Sequence, residues 1–158
     1  MEDDLKINIF LDETNNPFAP YYSKDDFHLS SDLEEFILSK VCSGKSRKVE
    51  IGFIGSNDYD VKSLNTAISN TFSDHMKEDK YDYSRNNKKS IITYVIGIIV
   101  GLIYLWLAKD HPYLGGVLSI VSWVFIWTGT EVYFFENRQI KTDIRKCENI
   151  LNAKVFKK

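Results

Sequence analysis

Two uncharged apolar runs, four residues apart, limit what this chain can become. Ile91–Ala108 (IITYVIGIIVGLIYLWLA) and Tyr113–Thr130 (YLGGVLSIVSWVFIWTGT) each hold 18 residues without a charge, and Val132–Phe135 prolongs the second past Glu131. Eighteen helical residues rise ~27 Å, close to the hydrocarbon thickness of a bilayer. Core helices of soluble proteins usually keep one polar face, and neither run has one. The expectation is a transmembrane helical hairpin over 91–135, with spans 91–108 and 113–135. The break, Lys109-Asp110-His111-Pro112, leaves room only for a tight antiparallel turn, and Pro112 suits the first turn of the second helix.

Outside the hairpin the chain is polar, and its charge is uneven. Residues 1–90 carry 12 Lys/Arg against 17 Asp/Glu, a net of −5, while residues 91–158 carry 8 against 5, a net of +3. An acidic soluble part argues against nucleic acid as a partner, because phosphates need clustered Lys and Arg. The basic excess borders the apolar runs, where anionic lipid is the more natural partner. The start, MEDD, is acidic and lacks the basic and apolar segments of a secretory signal. With no Asn-x-Ser/Thr acceptor and only Cys42 and Cys147, the soluble part is expected in the cytoplasm with reduced thiols.

Residues 5–12 (LKINIFLD) set Leu5, Ile7, Ile9 and Leu11 against Lys6, Asn8, Phe10 and Asp12, the period-two pattern of a half-buried strand. Glu13–Phe27 is a connector punctuated by Asn15, Asn16, Pro17 and Pro20. Its aromatics Phe18, Tyr21, Tyr22 and Phe27 are expected to pack down on the domain, an aromatic ligand site being the alternative. Ser31-Asp32-Leu33-Glu34 matches the capping box and opens a helix over about 31–42, with Leu33, Phe36, Ile37 and Val41 at helical spacing. Gly44-Lys45-Ser46 invites a phosphate-loop reading, which fails. Ser39 stands where the first glycine belongs, and the order is helix to strand rather than strand to helix. Val49–Ile54 alternates again and makes a second strand, ended by Gly55-Ser56-Asn57-Asp58. Asp60 then caps a second helix bearing Val61, Leu64, Ile68, Phe72 and Met76 on one face, with Ala67 beside them. Residues 77–90 are polar apart from two tyrosines: either a solvated continuation of that helix or a flexible neck.

After the spans, Ile140, Ile144, Cys147 and Leu151 recur at spacings of 4, 3 and 4 among Lys141, Arg145, Lys146 and Glu148. This is a basic amphipathic helix, to lie on the bilayer or to pack on the domain or on a second copy. Ala153–Phe156 can add a short strand. Arg85, Lys88 and Lys89 before the hairpin and Arg138, Lys141, Arg145 and Lys146 after it outweigh the single Lys109 of the turn. The positive-inside rule therefore puts both termini in the cytoplasm of a cell whose inner membrane holds the hairpin. Tyr94, Tyr104, Trp106, Tyr113 and Tyr133 lie toward the span ends as interfacial aromatics do, with Trp123 and Trp127 deeper.

Small residues mark the contact faces of the spans: Gly97, Gly101 and Ala108 in the first, Gly115, Ser119, Ser122 and Gly129 in the second. They either pack the two helices of one hairpin or join copies in a homo-oligomer. Glu131 is the one ionisable residue flanked by apolar sequence on both sides, which makes it a candidate for an ion path or gate, the alternative being an interfacial anchor. His28, His75 and His111 lack the spaced ligands of a metal site. Cys42 and Cys147 read as packing thiols. No nucleophile elbow, dinucleotide fingerprint or paired-carboxylate motif is present. No catalytic, cofactor-binding or metal residues are assigned, and no cofactor is expected.

The stretch Ile120–Phe135 (IVSWVFIWTGTEVYFF), with the following Glu136–Val155, resembles the end of a loose group of small prokaryotic two-span membrane proteins with an N-terminal α/β segment. Those carry a Trp-x-x-x-Trp and a polar residue late in the second span, then a basic helix and a short hydrophobic tail. Here Thr128-Gly129 stands where Arg-Pro is the group's pattern, and the basic helix is poorer in arginine. The resemblance implies architecture and no activity.

The fold class expected is therefore α+β: a cytosolic β-α-β-α domain over 1–80, a polar neck over 81–90, the hairpin over 91–135, and a cytosolic basic helix and tail over 136–158. The function expected is non-enzymatic: a self-associating sensing or scaffolding protein in the lipid bilayer, with an unidentified small-molecule or protein partner for residues 1–80. The alternatives are a membrane-perturbing effector gated by that partner and, third, an enzyme at the membrane surface.

Overall fold

A computed structural model describes residues 5–12, 16–23, 26–41, 48–55 and 59–157. Asn15, Cys42, Gly44-Lys45-Ser46 and Ser56-Asn57-Asp58 lie outside the described residues. The chain is mixed α+β, with strand β1 (Leu5–Phe10), helix α1 (Ser31–Lys40), strand β2 (Val49–Ile54), helix α2 (Val61–Leu107), helix α3 (Pro112–Glu131), a π-helical turn (Val132–Glu136), helix α4 (Asn137–Leu151) and strand β3 (Lys154–Lys157). It divides into two compact units, one of residues Met1–Asp79 with Thr142–Lys158 and one of Lys80–Lys141.

The first unit draws on both ends of the chain rather than on residues 1–80 alone. Its sheet runs β1-β2-β3, all parallel. A two-stranded parallel pair would leave the far edge of β2 with unpaired N–H and C=O groups, and β3 covers that edge, pairing Glu50 with Lys154 through Phe53 with Lys157. The alternation read in β1 buries Ile7 and Ile9 and leaves Lys6, Asn8 and Phe10 exposed. The central strand buries Val49, Ile51 and Phe53 in the core, and Gly52 lets the Phe156 ring approach on its other face: a Cβ there would stand 3.0 Å from that ring. Gly55 follows at φ +155°, where a side chain would collide with the Leu11 carbonyl oxygen. Only glycine tolerates that conformation without strain.

The helices close the core as their periodicity requires. Leu64, Ala67, Ile68 and Phe72 of α2 and Ile37 of α1 are buried against the sheet cluster, which also takes in Cys147 and Ile150 of α4. Thus α4 packs on the domain, one of the three places its amphipathic pattern allowed, with Ile150 rather than Leu151 most deeply buried. Asp60 caps α2, its carboxylate accepting from Lys62 N–H at 3.2 Å. The capping box expected at α1 does not form. Ser30 rather than Ser31 is the N-cap, with no side-chain cap bond, and the Glu34 carboxylate lies 2.7 Å from His75 Nε2 instead of reaching back. The helix stops at Lys40, two residues short of the expected end. Phe36, expected on its apolar face, is 40% exposed, with the Lys40 ammonium over its ring.

Residues 80–141 form a helical pair. Helix α2 runs without interruption through 77–90, so this stretch is a continuation of the helix and not a flexible neck. It ends at Leu107, and α3 begins at Pro112, which occupies the first helical turn. No helical break follows Phe135. The chain passes from α3 through the π turn into α4, and helix spans Pro112–Leu151.

Candidate functional site

The seam between α2 and α3 is built from missing side chains. A Cβ on Gly97 would lie 2.9 Å from Ile126 Cγ1 and 3.3 Å from the Ile126 backbone nitrogen, and one on Gly115 would lie 3.1 Å from Ala108 Cα. A Cβ on Gly101 would meet Ser122 Oγ at 3.0 Å, and one on Gly129 the Tyr94 ring at 3.3 Å. The structure therefore brings Gly97, Gly101, Ala108, Gly115, Ser122 and Gly129 into one intrachain contact. Ser119 is exposed outside it, as is Gly116, whose Cβ position is open.

Polar groups bridge the same seam. Ser122 Oγ donates to the Gly97 carbonyl at 2.8 Å, and Ser90 Oγ, fully buried, donates to the Gly129 carbonyl at 2.8 Å. Tyr94 Oη and Thr130 Oγ1 are 2.9 Å apart. Beyond them Asn137 Nδ2 donates to Asn87 Oδ1 at 2.7 Å and Asn86 Nδ2 to Glu136 Oε2 at 3.1 Å. The seam thus becomes more polar toward residues 86–90 and 136–137, where the apolar runs end. The π turn lies in this polar stretch, with Asn137 N–H donating to the Val132 carbonyl five residues back. Such turns insert one extra residue into a helix and re-aim the side chains around it. Glu131, just before the turn, is exposed, as are Arg85, Lys88, Lys89, Arg138, Lys141 and Arg145, while Lys146 is half-buried and 3.1 Å from Asp143.

The first unit holds a second concentration of chemistry. The connector 16–30 doubles back on itself, with Phe18 bridging Leu29 and Ala19 N–H donating to the His28 carbonyl. Thr71 and Asn70 of α2 fasten it: Leu29 N–H donates to Thr71 Oγ1 at 2.9 Å, and Asn70 Nδ2 donates to the Phe27 carbonyl at 3.1 Å. Phe18 and Phe27 pack against the core as expected, but Tyr21 is 97% exposed, and Tyr22 stacks on His28 at 3.9 Å. His28 is buried, with Nε2 3.4 Å from Asp74 Oδ2 and Nδ1 3.5 Å from Asp26 Oδ1. Hydrogen bonds from Lys77 and then His28 hold the Asp74 carboxyl below its ordinary value.

These groups line a cleft of about 300 Å³ that includes Tyr22, His28, Glu34, Asp74, His75 and Glu78. His28 beside Asp74 and His75 beside Glu34, with Glu78 in the same lining, make a carboxylate-rich cleft that can receive a cationic group. No set of three His, Cys, Asp or Glu among the described residues is arranged to hold a metal ion. The pairings join residues 41 to 46 apart, so no local motif announces them. Glu34 was obscured by its fit to a capping box.

The fold is mixed α+β with two long apolar helices. No protein-family model, curated protein or solved structure matches the chain.

Proposed function

We propose that this chain is a non-enzymatic membrane protein, in which the helical pair anchors a small recognition unit to the cytoplasmic face of a bilayer. The observation that supports this most is the surface of the pair. In the most apolar 18-residue stretch of each long helix only 11% and 17% is buried. Ile98, Leu102, Leu105, Trp106, Ile120, Trp123 and Trp127 face outward. Soluble monomers rarely expose contiguous apolar patches above a few hundred Å², whereas a bilayer accepts such a surface at no cost. The buried hydroxyl-to-carbonyl bonds of the seam fit the same setting, since in hydrocarbon polar groups must find partners within the protein.

Sensing or scaffolding is the role that fits the first unit. Its histidine–carboxylate cleft suits a small cationic group on a ligand or partner protein. Self-association would use the outer faces of the helices, because the glycine seam is occupied within one chain. The test is fractionation followed by particle mass. The protein is expected to sediment with membranes after alkaline carbonate washing and to form a defined oligomer in mild detergent. Recovery as a monodisperse aqueous species without detergent would refute the membrane reading, and a detergent-solubilised monomer would refute self-association.

A further inference from the structure

The sheet of the first unit has two outer edges, and they are guarded unequally. β3 is four residues long with Lys154 and Lys157 at its ends, the shortness and charge that keep an edge from pairing. β1 is six residues long and carries one charge, Lys6, whose ammonium lies 3.4 Å from the Glu50 carboxylate.

The hydrogen bonds of β1 show which groups face outward. Leu5 N–H donates to the Lys48 carbonyl and Leu11 N–H to the Ile54 carbonyl. In a parallel ladder the bonds recur at every second residue, so Leu5, Ile7, Ile9 and Leu11 direct their main-chain groups to β2. The N–H and C=O of Lys6, Asn8 and Phe10 point the other way, where no strand lies among the described residues. A groove of about 670 Å³ lies beside β1, lined by its Asn8, Ile9 and Phe10 and by Asp32, Leu33 and Phe36 of α1. Phe10 is 71% exposed, and it shares the open face of the sheet with Lys6 and Asn8.

We propose that this edge pairs with β1 of a second copy, antiparallel and centred on Asn8. Asn8 then faces Asn8 of the second copy, and Lys6 faces its Phe10. Each such pair exchanges both main-chain bonds, so every outward group of the two strands is answered. Charge favours a second copy in this register. It sets each lysine beside an exposed aromatic ring, a cation–π contact, and holds the two lysines ~14 Å apart along the strands. A parallel approach would oppose Lys6 to Lys6, which destabilises. The contact also closes, because a twofold pairing leaves neither β1 edge open. It deepens the self-association reading with a contact outside the helical pair, and it does not require the bilayer.

The test uses the full chain in mild detergent, with Cys42→Ser and Cys147→Ala, and a short bifunctional thiosulfonate as cross-linker. Asn8→Cys is expected to give the joined dimer as its main product. Lys6→Cys, ~14 Å from its copy, is expected to stay unjoined. Co-expressed chains carrying Lys6→Cys and Phe10→Cys are expected to be joined to each other. Asn8→Pro in both chains removes an outward N–H and no bond to β2, as prolines on edge strands do. It is expected to leave the thermal melt unchanged and to abolish that mixed product. Joining at position 6 as readily as at position 8 overturns the proposal, and so does a mixed product that survives Asn8→Pro. The cysteine pattern decides the question even where proline disturbs the fold. An oligomer by mass with no product at position 8 refutes this contact alone; a monomer with no product refutes self-association as well.

Discussion

Adding one methyl group at Gly97 and one at Gly116 should move stability in opposite directions. Both glycines lie inside helices, so Gly→Ala at either gains about 1 kcal/mol of helix propensity. At Gly116 nothing lies within 4 Å of the new Cβ, and the gain stands alone. At Gly97 the methyl meets Ile126 Cγ1 at 2.9 Å, Phe125 Cβ at 3.2 Å and the Ile126 backbone nitrogen at 3.3 Å. The Ile126 side chain can swing aside, but the backbone cannot yield without separating the helices. Overpacking of this kind costs about 1–3 kcal/mol. Because the propensity gain is common to both variants, their difference isolates the seam: Gly97→Ala should be less stable than Gly116→Ala by about 1–3 kcal/mol. The assay is unfolding of the solubilised chain by a denaturing detergent, read by the fluorescence of Trp106, Trp123 and Trp127, which all lie in the helical pair. Equal stability of the two variants, or a more stable Gly97→Ala, would refute the close approach of α2 and α3 at this point.

Three further outcomes follow from the first unit. Ile150→Ala should destabilise it by about 2–5 kcal/mol, since Ile150 is 1% exposed in the common core. Hydrogen exchange should then accelerate in β1 and β2 as well as near the C-terminus, and a change confined to 142–158 would contradict a shared core. Burial, aided by the carboxylates of Asp79, Asp143 and Glu34, pushes the Cys147 thiol up to about 11 from 9.0. The folded form therefore holds its proton more tightly than the unfolded form, so the stability contribution is complete below pH 9 and lost between about 9 and 11. In a Cys42→Ser background that loss should reach about 2–3 kcal/mol. Cys147→Ala should flatten this part of the pH profile in thermal melts, and an unchanged slope would refute the assignment. Asp74, lowered by Lys77 and His28, stabilises above its unfolded value of 3.8 and loses that contribution as pH falls through its lower folded value. With its side chain 58% exposed, Asp74→Asn should cost under about 1 kcal/mol at neutral pH. A larger loss in chemical denaturation would show that the cleft is more tightly coupled than its geometry implies.

The elements that follow from local periodicity were legible from the residues themselves. Alternation placed β1 and β2, the 3-and-4 spacing placed the buried face of α2, and the uncharged runs with Pro112 placed the helical pair and its turn. Ala153–Phe156 was readable as a short strand, though its parallel partner β2 lies about 100 residues earlier and left no local trace. Where a local signal competed with a distant partner, the partner won. Glu34 fits a capping box but takes His75, and the polar residues 77–90 stay helical between two segments that are each strongly so. His28 with Asp74 and Asn87 with Asn137 join residues on separate elements, and no spacing rule reaches across 46 or 50 positions. The small residues were legible as contact faces, but which of them meet was not. Gly116 and Ser119 stay outside the seam because helical phase, rather than residue size, decides what faces the neighbour.

The most direct measurement of the central claim is the side of the bilayer on which the turn at Lys109–His111 lies. A single cysteine at Asp110, in a chain whose own two cysteines are replaced by serine and alanine, can be challenged with a membrane-impermeant maleimide in intact cells. The prediction is that this position is labelled from outside, while a cysteine placed at Lys157, in the strand that completes the sheet, is labelled only after the membrane is broken. Labelling of both positions without lysis, or of neither, would contradict a hairpin that crosses the bilayer twice and returns the chain to one folded unit.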